Sequence, residues 1–221
     1  MTLVNQSKLL ILTLLVAVCV GCSAKRTVST QREVTNNRPA NTEAVNIPPP
    51  EKPVLRPRPP YIMVAPGDSV ATKYAKLLGV KKSEIKNGRL YDFIDQWMGA
   101  PYAFGGLERS GVDCSGFVYL LQQQVYDITD MPRSSNLQIN YIKRKYENEL
   151  KEGDLVFFDF DGKPLSHVGI YLTNGYVVHA STSKGVMIVK LHSPYMYKYF
   201  SRGGSVIDPA IDLPMTDAGT H

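Results

Sequence analysis

The spacing of apolar residues changes once along this chain, just after Glu149. Before that point apolar residues recur every three or four positions, as at Phe93, Ile94 and Trp97, which is the spacing of an amphipathic helix. After it, short runs rich in β-branched and aromatic residues alternate with turn signals, as in 154–158. Helices followed by consecutive strands predict an α+β domain, with N-terminal helices packed on an antiparallel β-meander of about five to six strands.

The predicted elements have defined bounds. Helices are expected at residues 68–78, 89–98, 114–125 and 134–146, and strands at 154–158, 167–172, 176–180, 186–190 and 199–207. Asp68 or Ser69 is the expected N-cap of the first helix and Asp113 that of the third. The basic run 143–145 is interpreted as the solvated face of the fourth helix.

The first 21 residues have the pattern of a secretory signal. Lys8 is followed by an apolar run that is shorter than the about 20 residues of a membrane span, and small residues precede Cys22. This ending resembles a bacterial lipobox, with Cys22 as the residue that receives lipid, although Cys19 stands where such motifs usually carry Leu. The alternative is an uncleaved N-terminal anchor. Both interpretations place the rest of the chain outside the cytoplasm.

Residues 22–66 are poor in apolar residues and rich in proline, as in 48–50. Proline favours the extended polyproline II conformation, so we predict a semi-rigid tether that starts at the lipidated Cys22. The folded domain is predicted to span 67–221. The net charge of +5 favours an anionic envelope polymer as a partner. No basic run with interleaved aromatic residues is present, so nucleic acid is not an expected partner.

Cys114 is the residue with the clearest chemical implication. It is the single cysteine left once Cys19 and Cys22 are assigned to the signal and the lipid, so no disulfide accounts for it. It stands at the predicted start of a helix, where the partial positive charge favours a thiolate and free N–H groups can bind an oxyanion. We therefore predict that Cys114 is a nucleophile.

His167 and His179 are the candidate partners of this thiol, and the turn between their strands decides whether they meet. A two-residue turn, Asn174-Gly175, would put the two rings on opposite faces of the sheet. A three-residue loop, 173–175, would put both on one face as diagonal neighbours, with Gly169 leaving space for the second ring. In that register His167 is the expected base, and His179 orients it.

Two other uses of these residues remain open. One cysteine and two histidines can supply three ligands to zinc, but the spacing has no Cys-x-x-Cys or His-Glu-x-x-His signature. Cys114 can also be a small buried apolar residue with no chemistry. The favoured interpretation needs neither a metal nor a cofactor.

Six stretches of the chain together resemble the NlpC/P60 family of cell-wall cysteine peptidases. The stretches are residues 99–106, 112–117, 131–135, 150–158, 166–171 and 178–183. The resemblance implies a papain-like fold and hydrolysis of peptide bonds in the stem peptides or cross-links of peptidoglycan. It implies Cys114 as nucleophile, His167 as base and His179 as third polar residue. Less directly, it implies that Tyr102, Asp113 and Ser115 contact the substrate.

The resemblance is greatest to a branch of short lipoproteins, which favours a DD-endopeptidase. Cleavage of the γ-D-glutamyl-diamino acid bond, or of the sugar–peptide bond by an amidase, remains an alternative, as does a catalytically silent wall-binding lipoprotein. Ser23 after Cys22, in place of Asp, favours lipid anchoring in the outer membrane, facing the periplasm. A regulatory envelope protein is expected, but no residue identifies it.

Overall fold

Three long helices open the folded part of the chain in the computed structural model, which describes residues 53–208 and Asp212, all within the unit Pro48–His221. They are α1 (Asp68–Leu78), α2 (Gly88–Trp97) and α3 (Cys114–Tyr126). The predicted signal, residues 1–21, and the predicted lipid site, Cys22, lie outside the described residues. None of the helices in the described part is long and apolar enough to cross a membrane.

The helix starts follow from capping. The Asp113 side chain accepts a hydrogen bond from the Gly116 N–H at the start of α3, and Asn87 does the same for Leu90 in α2. The predicted N-cap of α3 is therefore confirmed. The predicted cap of α1 is wrong, because Gly67 occupies that position without a side-chain bond and Asp68 is already helical.

Six strands form one antiparallel sheet; the five that follow Glu149 are those that the sequence pattern predicts. The strands are β3 (Ile142–Lys145), β4 (Leu155–Phe158), β5 (His167–Leu172), β6 (Tyr176–Ser181), β7 (Gly185–Lys190) and β8 (Phe200–Val206), after a short hairpin of β1 (Leu107–Glu108) and β2 (Gly111–Val112). Their order is β3-β8-β4-β5-β6-β7. The meander is thus confirmed for β4 to β7, whereas β8, which follows helix α5 (Pro194–Tyr199), inserts between β3 and β4.

The predicted fourth helix, 134–146, is wrong beyond its first turn. Only α4 (Ser135–Gln138) is α-helical, and after a short 3₁₀ turn the chain becomes β3. Along β3, Ile142 pairs with Val206 and Lys145 with Gly203. This pairing with a strand some sixty residues later outweighs local helix propensity, and the basic run 143–145 lies on an edge strand.

The core lies between the helices and one face of the sheet. Phe117, Val118 and Leu121 of α3 are completely buried, as are Val168 and Ile170 of β5. Because α3 packs against β5, the first residue of the helix is placed beside the first residues of the strand. This packing brings Cys114 to the neighbourhood of His167.

Residues 53–66, at the end of the predicted tether, contact the folded domain; we call them the docked segment. Arg58 donates to the Ile207 carbonyl oxygen at 2.7 Å, and its guanidinium lies 3.5 Å from the Asp130 carboxylate. The Tyr61 hydroxyl donates to Asn87 at 2.6 Å, and the Tyr61 ring packs on Tyr126 with 5.1 Å between centroids. The docked segment therefore belongs structurally to the domain.

Arg58→Ala is expected to lower the free energy of unfolding by about 2 kcal/mol, because it leaves Asp130 buried with its cation removed. Urea denaturation of the full chain measures this. Arg56→Ala is the matched control: Arg56 reaches Asp130 through its backbone N–H at 2.8 Å, and its side chain is exposed. Equal midpoints for the two variants would contradict a stabilising role of the Arg58 side chain.

Candidate active site

The hairpin between β5 and β6 has the three-residue loop that puts both histidines on one face. Leu172 pairs with Tyr176, so residues 173–175 form the loop. Asn174 and Gly175 have φ angles of +57° and +73°, the left-handed region that Asn and Gly tolerate best. The predicted register is therefore confirmed.

The two imidazole rings meet within this register. His167 Nε2 lies 2.8 Å from His179 Nδ1, and both side chains are buried, at 4% and 5% exposure. Gly169 makes the approach possible, because a Cβ there would lie 2.9 Å from the Val178 carbonyl oxygen and 3.1 Å from the Cβ of His179. With Nε2 of His167 engaged, its Nδ1 is the nitrogen left to exchange a proton with a substrate or a thiol.

Cys114 is a free cysteine at the first position of α3, and only 6% of it is exposed. The backbone N–H groups of Val168, Ser115 and Cys114 itself act on its sulfur and lower the pKa of the thiol. Val168 directly follows His167 on β5, so the thiol and the imidazole pair belong to one site. These N–H groups favour a negative charge at the sulfur or on an oxygen next to it.

In the free protein, the effect of burial on the pKa of the Cys114 thiol is larger than the opposite effect of those N–H groups. Burial raises the pKa of the Cys114 thiol, and the Asp113 carboxylate adds to the rise. Burial also lowers the pKa of His167 and of His179. All three groups are therefore neutral near pH 7, so the free site holds a thiol and an imidazole rather than a thiolate and an imidazolium.

A cleft of about 430 Å³ opens at the two histidines. Its lining is half aromatic and half polar, and comprises Tyr102, Phe160, Lys163, Ser166, His167, His179, Ser181, Thr182, Ser183 and Tyr195. Tyr102 is the one of the three predicted substrate contacts that faces the cleft. Burial raises the pKa of its hydroxyl, and so does the adjacent Cys114, so Tyr102 is a neutral hydrogen-bond donor beside the sulfur.

Asp113 and Ser115, the other two predicted substrate contacts, do not line the cleft. The Arg133 guanidinium donates to both oxygens of Asp113 at 2.8 and 2.9 Å and to the Ser115 hydroxyl at 3.0 Å. Burial opposes ionisation of Asp113, but Arg133 and the N–H groups of Gly116 and Gly105 outweigh it and hold the pKa of that carboxyl below its usual range. This cluster fixes the start of α3 and hence the position of Cys114.

Arg133 is the site residue that sequence reasoning missed. It lies in the stretch 131–135 that carries the family resemblance, and its position there is the one signal that marks it. Its partner is twenty residues earlier in the chain, a separation at which no local pattern pairs two residues. Gly116 lets the guanidinium approach, because a Cβ there would lie 2.8 Å from Arg133 Nη2.

A zinc site would need at least three ligating side chains close together. In the part of the chain that the structure describes, no group of three or more His, Cys, Asp or Glu residues is arranged to hold a metal ion.

Comparisons with known proteins give consistent matches. The model of the NlpC/P60 family matches residues 99–204. The probable endopeptidase NlpC of Escherichia coli is 45% identical over 112 residues, 50% of this chain and 72% of the relative. The murein DD-endopeptidase MepS/murein LD-carboxypeptidase of Escherichia coli is 37% identical over 128 residues, 58% of this chain and 66% of the relative.

A solved structure also matches. The crystal structure of an NlpC/P60 family protein from Bacillus cereus aligns with a TM-score of 0.50 at 27% identity. The alignment covers 53% of this chain and 39% of that one.

Arg133→Gln is expected to lower the free energy of unfolding by about 3 kcal/mol at pH 7, because the Asp113 carboxylate stays buried without its cation. In the unmodified protein the depressed pKa of Asp113 stabilises the fold above about pH 4, and this stabilisation is lost as the pH falls through the folded pKa. In the variant only the Gly116 and Gly105 N–H groups still oppose the effect of burial, so Asp113 takes up its proton at a higher pH than in the unmodified protein. The difference between the two proteins will therefore shrink as the pH falls from 7 towards 3.

Urea denaturation over that pH range checks this, with Arg109→Gln as the control because Arg109 is exposed on the turn between β1 and β2. A difference that stays constant with pH would contradict the Asp113–Arg133 account.

Alkylation of Cys114 by iodoacetamide is expected to show no plateau below pH 7. Because burial raises the pKa of the thiol, the rate will climb about tenfold per pH unit and keep rising above pH 8. Peptide mapping of the alkylated full chain separates Cys114 from Cys19 and Cys22. A rate that is independent of pH between 5 and 7 would instead demonstrate a preformed thiolate–imidazolium pair.

Proposed function

Because this chain belongs to the NlpC/P60 family, we propose that it is a peptidoglycan endopeptidase in which Cys114, His167 and His179 perform the reaction. The observation that carries the proposal is the placement of a thiol at the N-terminus of α3 beside two imidazoles bonded at 2.8 Å. A nucleophile, a base and a group that orients the base are the parts a cysteine peptidase needs.

The first half of the reaction forms an acyl-enzyme. The Cys114 sulfur attacks the carbonyl carbon of the scissile peptide bond while His167 Nδ1 takes the thiol proton. His179 Nδ1 accepts the Nε2–H of His167, which selects the tautomer with a free Nδ1 and stabilises the imidazolium that forms. The same proton then goes to the leaving amine, and a thioester remains on Cys114.

The second half of the reaction hydrolyses the acyl-enzyme and regenerates the free enzyme. Water attacks the thioester carbonyl, His167 takes its proton, and the carboxylic acid product leaves as the thiol is re-formed. In both halves a negative charge develops on the carbonyl oxygen. The N–H groups of Cys114 and Ser115 already lie at the sulfur, and the Tyr102 hydroxyl is close by, so these donors are available to the oxyanion.

A stem-peptide cross-link is the favoured substrate. The proposal is supported by the similarity to a relative whose name describes a murein DD-endopeptidase. Cleavage of the γ-D-glutamyl-diamino acid bond and of the sugar–peptide bond are alternatives with different product masses. A half-aromatic, half-polar cleft suits a peptide substrate.

Anchoring is a separate part of the proposal. The sequence pattern at 1–21 favours export and lipidation at Cys22, and the residue after it favours the outer membrane on its periplasmic side. The proline-rich stretch predicted as a tether from Cys22 onwards then lets the domain reach the wall.

Mass spectrometry of digested peptidoglycan and of purified cross-linked dimers tests the activity. The full chain is expected to convert dimers to monomers, and Cys114→Ser to lose at least about a thousandfold in rate, since the nucleophile is removed. Shortened stems would indicate γ-D-glutamyl cleavage, and release of intact stems from the sugar would indicate an amidase. Absence of any Cys114-dependent product would overturn the enzymatic proposal and favour a wall-binding protein.

A further inference from the structure

Among the side chains that the structure describes, one charged side chain faces the cleft. Lys163 lines it, and among the described side chains of that lining it alone carries a formal charge, since burial keeps His167 and His179 neutral. Lys163 is exposed, and within residues 53–208 and Asp212 its ammonium group makes no ion pair or side-chain hydrogen bond. A cleft with one unpaired ammonium group favours a ligand that carries a negative charge.

The segment that carries Lys163 is attached to the catalytic pair. The chain between β4 and β5 turns at 160–162, and the Lys163 N–H donates to the Phe160 carbonyl oxygen at 3.0 Å. The Phe160 ring packs against the His167 ring with 5.0 Å between centroids, and it stacks on Tyr195 at 5.4 Å. The position of the Lys163 backbone is thus fixed relative to His167.

The far end of the same segment is held as well. Leu165 has a φ of +54°, which is unfavourable for a leucine. Two hydrogen bonds hold it there: its N–H donates to Asp159 at 2.7 Å, and its carbonyl oxygen accepts from the Ser135 hydroxyl at 2.7 Å. A backbone segment constrained at both ends loses little backbone entropy when a ligand binds, so the Lys163 side chain starts from a fixed position at the cleft.

We infer that Lys163 determines specificity by binding a free carboxylate of the substrate close to the scissile bond. The inference rests on the proposed function. Stem peptides carry such carboxylates on the γ-linked glutamyl residue and on the diamino acid, and either can form a charge-assisted hydrogen bond with an ammonium group. The hydroxyls of Ser181, Thr182 and Ser183 line the same cleft and supply neutral partners for the peptide itself.

The test compares cross-linked stem peptides in three forms: with both carboxylates free, with the glutamyl carboxylate amidated, and with the diamino acid carboxylate amidated. The full chain is expected to prefer the free form over one of the two amides by about fivefold in kcat/KM, mainly through KM. Lys163→Gln is expected to cleave the free form and that amide with equal kcat/KM. The amide that the full chain discriminates against identifies the carboxylate.

Lys76→Gln is the matched control, because Lys76 is exposed on α1, does not line the cleft and changes the net charge equally. It should keep the full discrimination. An unmodified protein that cleaves all three forms equally, or a Lys163→Gln variant that still discriminates, would overturn the inference while leaving the activity standing.

A binding measurement tests this inference independently of the proposed activity. Calorimetry with the same peptides is done on Cys114→Ser, alone and combined with Lys163→Gln. Carboxylate-dependent binding that is lost in the combined variant supports the carboxylate site even where the full chain cleaves nothing. Equal affinity for the free and amidated peptides, unchanged by Lys163→Gln, would contradict the proposed carboxylate site.

Discussion

The register between β5 and β6 is the constraint on which the site depends. Side chains alternate along a strand, so a slip of one residue would carry His179 to the opposite face and leave His167 without its partner. The three-residue loop at 173–175 and the glycine at 169 together permit the observed pairing. The geometry of the histidine pair is therefore set by a turn and by one absent side chain.

The ion pair between the buried Asp113 and the partly exposed Arg133 holds Cys114 in position in a similar way. Asp113 caps α3, and Arg133 neutralises and holds the cap from a loop that is distant in sequence. The family resemblance implies Asp113 and Ser115 as substrate contacts, whereas their observed partners make them positioning residues in the free protein. The sequence motif does not show whether such a residue positions its neighbour or contacts a ligand, because Arg133, which decides it here, lies twenty residues away.

The parts that could be predicted are those decided by near neighbours. Helix α3 and its cap, the strands of the meander and the histidine hairpin all depend on residues within a few positions of one another. Strand β3, Arg133 and the docked segment could not be predicted, because their partners lie far along the chain: Val206 for Ile142, Asp113 for Arg133, and Ile207 for Arg58. Periodicity and turn chemistry carry no information about such pairings.

Burial keeps Cys114, His167 and His179 uncharged in the free protein, and this affects how the thiol can react. Thiolates are the form that oxidants attack, so a thiol whose pKa is raised by burial is protected in the oxidising compartment proposed for this chain. In the proposed reaction Cys114 must therefore lose its proton during the attack, which requires an imidazole with a free nitrogen beside it. Burial lowers the pKa of His167 for the same physical reason that it raises that of the thiol. Proton transfer between them becomes favourable only when a developing oxyanion and the N–H groups of α3 stabilise the negative charge, so reactivity depends on a bound carbonyl group.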